Sequence, residues 1–139
     1  MINFKTKFGR KAWKHIKDEI VIWLTTVGPD KTPHPRPVWF VWDQGDILIY
    51  SQPDTFKVKH IRKHKKVALN FNTDAKGDID VVVLLGTARF DKSAPPAHKQ
   101  RAYMKKYRDM ILELNMTHEE YGKGYSTPIR VTPTALRGW

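Results

Sequence analysis

Six short segments rich in β-branched and aromatic residues, separated by tight polar turns, constrain this chain more than any other feature. Such segments read as strands, and such turns as the connections between them. The first is 20–27 (IVIWLTTV), closed by Gly28-Pro29-Asp30-Lys31. The second is 34–43 (HPRPVWFVWD), where Pro35 and Pro37 lack the N–H that a ladder needs and so mark an edge or a bulge. Gln44-Gly45-Asp46 turns the chain into a third strand over 47–51, and the first three strands are predicted to form a meander of antiparallel hairpins. Further strands are predicted over 67–72 and 80–90, with a polar loop at 74–78 between them, and a last strand with its tail over 128–139. Gly86 inside the fifth strand points to a bulge or a close backbone approach. An open sheet of such strands would leave adhesive edges. The predicted fold is therefore mainly β (β + α): a six-stranded antiparallel barrel, closed or nearly closed, with flanking helices.

The helices have their own signatures. Phe8, Ala12 and Ile16, with Trp13 beside them, recur at helical spacing within 4–19. Asp54 offers an N-cap for a basic helix over 55–64 whose buried side chains are predicted to be Phe56 and Ile61. A third helix is predicted over 97–114 after the Pro95-Pro96 break, and Thr117 with Glu120 three residues later reads as the capping box of a short fourth. The 139 residues make one domain with no repeat or linker, large enough to bury a core without staples. The absence of cysteine excludes disulfides and thiolate metal sites. No apolar run reaches the roughly 18 residues that cross a membrane, and no membrane partner is expected. Residues 1–10 are polar and basic without an apolar stretch, so no secretory signal is read there and a cytoplasmic location is expected.

Charge narrows the choice of ligands. Twenty-five Lys and Arg face fourteen Asp and Glu, a formal net charge of +11. That field attracts polyanions such as phosphorylated cofactors, nucleic acid or acidic lipid head groups, without choosing among them. The most informative stretch is 36–62. A strand ends at Tyr50-Ser51, a loop Gln52-Pro53-Asp54 follows, and a helix opens with Thr55 and Lys57. A helix N-terminus presents unbonded N–H groups and the positive end of a dipole. The Ser51 and Thr55 hydroxyls and the Lys57 ammonium would meet there in a phosphate cradle; the plainer alternative is a cap on a solvated basic helix. His60 and His64 share a helical face as paired metal ligands do. No acidic residue stands between them, however, and Arg62, Lys63, Lys65 and Lys66 would repel a dication, so no metal is expected. His34 is read as a surface or groove residue. Alternation puts Val38, Phe40 and Trp42 on one face of the second strand and Trp39 and Val41 on the other. With both faces apolar, one is expected to meet a partner subunit or a cofactor. No Gly-rich fingerprint, P-loop or nucleophile elbow is present. No catalytic residue is assigned, and chemistry would come from a cofactor that the protein orients.

The segment LTTVGPDKTPHPRPVWFVWDQGDILIYSQPDTFKVKHIRKHKKVALNF resembles the core of the pyridoxamine 5'-phosphate oxidase-like split-barrel superfamily of flavin and deazaflavin binders, a likeness that spans 24–90. The closing GYSTPIRVTPTALRGW is similar to the subgroup that uses the deazaflavin F420. The resemblance implies that Arg36 reaches the cofactor, that the backbone of Pro37 and Val38 lies along its ring system, and that Tyr50 and Ser51 form the aromatic-hydroxyl pair ending the third strand. It implies that Thr55 and Lys57 hold the phosphate, with His60, Lys59 and Arg62 adding charge. It also implies a homodimer with the cofactor, F420 or FMN, in a groove between subunits and Trp139 folding over that groove. The expected activity is hydride transfer to or from a small-molecule substrate. Phe56 and Val41 stand where the phosphate-oxidase enzymes proper carry a basic residue and a lysine, which argues against FMN held in their manner and against pyridoxine-phosphate oxidase activity. Two other readings stay open: a non-catalytic carrier of flavin, deazaflavin or haem, and a basic nucleic-acid-binding barrel. The second fits less well, because the Lys and Arg clusters fall on helices rather than on aromatic-bearing strands.

Overall fold

A computed structural model describes residues 2–74, 76–77 and 80–139. Its elements are α1 (Lys7–Asp18), β1 (Val21–Val27), β2 (Pro33–Trp39), β3 (Val41–Asp43), β4 (Asp46–Ser51), α2 (Phe56–Lys63), β5 (Lys66–Asn70), β6 (Val82–Phe90), α3 (Arg101–Glu113), α4 (His118–Gly124) and β7 (Thr127–Gly138). A short 3-10 turn, Ala97–Lys99, leads into α3. The strands form one antiparallel sheet in the order β2-β1-β5-β6-β7-β4-β3. The two outermost strands, β2 and β3, are neighbours in sequence with Phe40 alone between them. The chain thus joins the sheet's own edges, and the sheet curls into a split barrel.

The second predicted strand is therefore two, and the described residues hold seven strands where six were expected. The hairpins β1–β2 and β3–β4 form as predicted, but β2 and β3 diverge, so there is no three-stranded meander. The break follows from contacts made by α3. The Phe40 ring is fully buried, its N–H donates to the Tyr107 hydroxyl at 2.8 Å, and its carbonyl accepts from Lys106 Nζ at 2.9 Å. Satisfied by side chains, those backbone groups need no ladder partner. Pro33, Pro35 and Pro37 all lie on β2, at the edge of the sheet, where a missing donor costs nothing. Gly86 sits at a register shift in the β6–β7 pairing, and a Cβ there would come within 2.7 Å of the Thr132 carbonyl oxygen.

The barrel interior is filled by Ile22, Leu24, Phe40, Ile49, Leu69 and Leu84, with Ala12 and Ile16 of α1 and Val58 and Ile61 of α2 packed against them. A second apolar layer lies outside the barrel, where Tyr103, Tyr107 and Ile111 of α3 and Tyr121 of α4 cover Val41, Leu48 and Tyr50. This is why every residue of β4 is buried. The Trp39–Val41 face is covered mainly by the chain's own helices, with Trp39 stacked on Tyr107 at 4.7 Å and 4°. Two corrections concern α2. Thr55, not Asp54, is its N-cap, and Phe56 is 71% exposed while Ile61 is buried as predicted. The third helix begins at Arg101, later than predicted, with the Gln100 side chain accepting the Tyr103 N–H at 2.8 Å. The Thr117–Glu120 capping box is present. Of the predicted 74–78 loop, residues 75 and 78 lie outside the described residues.

Candidate anion and coenzyme site

The site is assembled where the edge strand β2 passes the N-terminus of α2. Thr55 caps that helix by position, but its side chain makes no capping bond. Its hydroxyl instead pairs with Ser51 Oγ at 3.1 Å, and Ser51, 1% exposed, also donates to the Gln52 carbonyl at 2.8 Å. The first-turn N–H groups of α2 are thus left for an outside acceptor, in the field of the helix dipole. A cleft of about 920 Å3 opens there, lined among others by Arg36, Pro37, Thr55, Phe56, Lys57 and His60. Burial, and then the neighbouring Arg36 guanidinium, hold the Lys57 pKa below its ordinary value. Two cations this close repel each other until an anion sits between them.

His60 deepens the cleft. It is 7% exposed, and its Nδ1 lies 2.9 Å from the Thr26 hydroxyl. Its ring stands 4.8 Å from that of His34. Burial, followed by the charges of His34 and Arg36, depresses its pKa, which favours the neutral imidazole. Asp30, which also lines the cleft, is held by the Thr32 N–H at 3.0 Å and the Thr32 hydroxyl at 2.8 Å. The exposed Phe56 ring stands 6.2 Å from His60, with Lys59 Nζ 5.5 Å from its centroid. Permanent cations, hydroxyls, open backbone N–H groups and an aromatic floor suit an anionic group carried on a flat ring system.

Of the nine residues named from the sequence, Arg36, Pro37, Thr55, Lys57 and His60 line this cleft. Val38 and Tyr50 line an adjoining hollow that shares Pro37 and Lys57 with it. Ser51 lies beneath, bonded to Thr55. Trp139 is not brought to the cleft of its own chain. Its backbone pairs with Val81 in both directions at 3.1 Å, and its carbonyl accepts from Lys11 Nζ at 3.2 Å. Sequence reasoning missed Thr26, although a signal existed: β1 buries every second residue, and Thr26 continues the inward row of Ile22 and Leu24. A hydroxyl in an apolar row needs a partner, and His60 supplies it. Tyr121 and Tyr125 in the adjoining hollow were also missed, though they stand four apart on the predicted short helix.

A split barrel with a basic cleft at this helix end defines a class of small ligand-binding proteins rather than one activity. The sequence profile described as pyridoxamine 5'-phosphate oxidase matches residues 10–139, and the chain belongs to that family. No curated protein matches it by sequence. Among solved structures it is similar to a protein of Listeria innocua named as a candidate pyridoxamine 5'-phosphate oxidase, at 20% identity and TM-score 0.69, covering 92% of this chain and 94% of that one. It is similar to an F420 reductase at 20% identity and TM-score 0.65, covering 89% and 94%. It is also similar to HutZ, the haem storage protein of Vibrio cholerae, at 9% identity and TM-score 0.62, covering 98% and 94%. These likenesses establish the shared fold. Among the described residues no helix is long and apolar enough to cross a membrane.

Proposed function

We propose that this protein is an oxidoreductase that holds FMN or the deazaflavin F420 in the cleft between β2 and α2 and passes hydride to or from a small organic substrate in the cytoplasm. The observation that carries this reading is the convergence of Arg36, Thr55, Lys57 and His60 at the uncapped N-terminus of α2. These groups would hold the anionic part of the coenzyme, while the edge-strand backbone at Pro37 and Val38 would flank the ring. Once bound, the coenzyme supplies the hydride chemistry, and the protein supplies position and field. Lys57 and Arg36 fix the anion, Ser51 orients the Thr55 hydroxyl, and Thr26 fixes the His60 ring. The Lys57→Ala variant should lose about 1.5–3 kcal/mol of coenzyme binding, the range for a hydrogen bond to a charged group, or roughly ten- to hundredfold in affinity. Fluorescence titration of both proteins with FMN and with F420 measures this, and equal affinity for both ligands in both proteins rejects the assignment.

The same reading includes a second copy of the chain. Trp139, 62% exposed and not among the residues that line its own cleft, would then fold over the groove of the partner subunit. Sedimentation at micromolar concentration should give twice the chain mass; a monomer that still binds coenzyme would remove Trp139 from the site. A carrier that holds flavin, deazaflavin or haem would use the same cleft, as the fold shared with a haem storage protein underlines. Turnover with reduced coenzyme separates the two.

A further inference from the structure

The solvent face of α3 carries a cluster of charge that the coenzyme cleft does not use. A depression of about 480 Å3 there is lined by His98, Lys99, Arg101, Met104, Lys105 and Arg108, and it shares no lining residue with the cleft. Arg101, Lys105 and Arg108 stand four and three residues apart, on one helical face about 10 Å long. Lys99, Arg101, Lys105 and Arg108 are all exposed, and among the described residues no carboxylate oxygen lies within 4.0 Å of their nitrogens. Glu119, whose carboxyl feels the charge of Lys99, is bonded instead to Lys123 at 3.1 Å. Lys99 and Arg101 also stand at the start of α3, whose first turn holds no acidic residue, so their charges oppose the positive end of the helix dipole. Like charges gathered in that field repel one another until an anion joins them. His98 adds a second observation. Its Nδ1 is, among the described residues, the buried side-chain polar atom without a hydrogen-bond partner. The ring turns Nδ1, Cε1 and Cγ toward Gly122, where any Cβ would collide with it, and so leaves Nε2 and Cδ2 as the edge away from that glycine. An N–H stranded at Nδ1 would cost its full desolvation penalty, so the neutral ring keeps its proton on Nε2 as a donor.

We propose that this depression is a second anion site, which holds the phosphate chain of an oligophosphate, either a nucleoside triphosphate or inorganic tripolyphosphate. Arginine forks match phosphate oxygens two at a time, and lysines add point charge. A chain of several phosphates reaches all four cations, whereas one orthophosphate does not span them. The His98 Nε2–H donates to an oxygen of the chain, and Gly122 is the residue that lets the ring take its place. A nucleic-acid strand fits less well, because the lining holds no Trp, Tyr or Phe on which bases stack. The site goes beyond the oxidoreductase reading and does not rest on it.

The test follows the backbone amide signals of the isotope-labelled full chain by NMR as tripolyphosphate, ATP or orthophosphate is added at low salt without coenzyme. Tripolyphosphate should move the signals of residues 98–108 and of Gly122 saturably, with orthophosphate at least tenfold weaker. Arg101→Gln and Lys105→Gln should each weaken tripolyphosphate fivefold or more. Lys14→Gln, which removes the same charge from α1, should change it less than twofold. Gly122→Ala should weaken it threefold or more at unchanged charge, by displacing His98. Arg101 and Lys105 are exposed, so their variants keep the test sound if Gly122→Ala fails to fold. ATP binding tighter than tripolyphosphate supports the site and assigns it to a nucleotide, and weaker ATP supports it as a site for the inorganic chain. Saturable shifts confined to residues 55–60 overturn the proposal, because the anion then sits in the coenzyme cleft. Equal losses in Lys14→Gln and Arg101→Gln overturn it in favour of a diffuse field, and a folded Gly122→Ala chain with unchanged affinity overturns the part given to His98. Tighter binding of single-stranded oligothymidylate at residues 98–108 overturns it in favour of nucleic acid. Failure of FMN and F420 to bind would sink the oxidoreductase reading and leave these outcomes as they stand.

Discussion

His60 shows how one side chain ties stability to ligand binding. The Thr26 hydroxyl holds its ring inside the protein, and burial, then His34 and Arg36, push its pKa down. The folded state therefore refuses a proton that the unfolded chain accepts near its ordinary value of about 6.5. Between that value and the lower folded one the unfolded state carries more protons, so stability falls as pH falls through this window. The His60→Gln variant should show a flatter decline of urea midpoint between pH 7 and pH 5 than the unaltered chain; parallel curves would show that His60 is not the group responsible. An anion in the cleft acts in the opposite sense, because it offsets the positive charges that oppose protonation of His60. Much of this was visible in the sequence as residue type: a basic helix start with flanking hydroxyls. The burial of His60 and the exposure of Phe56 were not. Both lie on α2, and which of its faces meets the barrel is set by how the helix docks, not by its own spacing.

At the level of elements, local signals and distant contacts part company. The Thr117–Glu120 capping box was legible because both partners lie within one turn. The edge position of β2 was legible because its prolines cannot donate. The break at Phe40 was not, because the group that makes it lies 67 residues away. The Tyr107 hydroxyl accepts the Phe40 N–H at 2.8 Å and lies 2.7 Å from the Ile20 carbonyl, so it pins the point where the sheet closes on itself. Tyr107→Phe keeps the ring stack with Trp39 but leaves that buried N–H without an acceptor, which costs about 1–3 kcal/mol. Urea unfolding should register the loss as a lower midpoint at unchanged slope; an unchanged midpoint would mean that water replaces the phenol. A second distant linkage was equally hidden. Arg130, 5% exposed on β7, bonds Asp91 at 2.6 Å and Asp43 at 2.9 Å, tying three separate chain segments together. Hydrogen bonds from Ser93, and then the Arg130 contact, hold Asp91 down to about 2.

For the whole molecule, the net charge of +11 sets the long-range field and the cleft gives it a focus. Because part of coenzyme affinity then comes from screened attraction, it should fall several-fold between roughly 50 and 300 mM salt, where the Debye length shortens by more than half. Repeating the FMN and F420 titrations across that range measures the slope, and a flat response would assign affinity to ring contacts instead of charge. Composition and periodicity determined the strand-rich class, most element positions and the basic stretch 51–57, since these depend on residue type and on spacing within a few positions. The tertiary structure alone decided that β2 and β3 form opposite ends of one sheet, that all five tyrosines gather outside β4, and that Arg36 meets Lys57 in a cleft next to an aromatic hollow. The physical reason is that each of these brings together residues far apart in sequence. Their contacts are paid for by loop-closure entropy and rewarded only by a packed core, and no local pattern encodes that exchange.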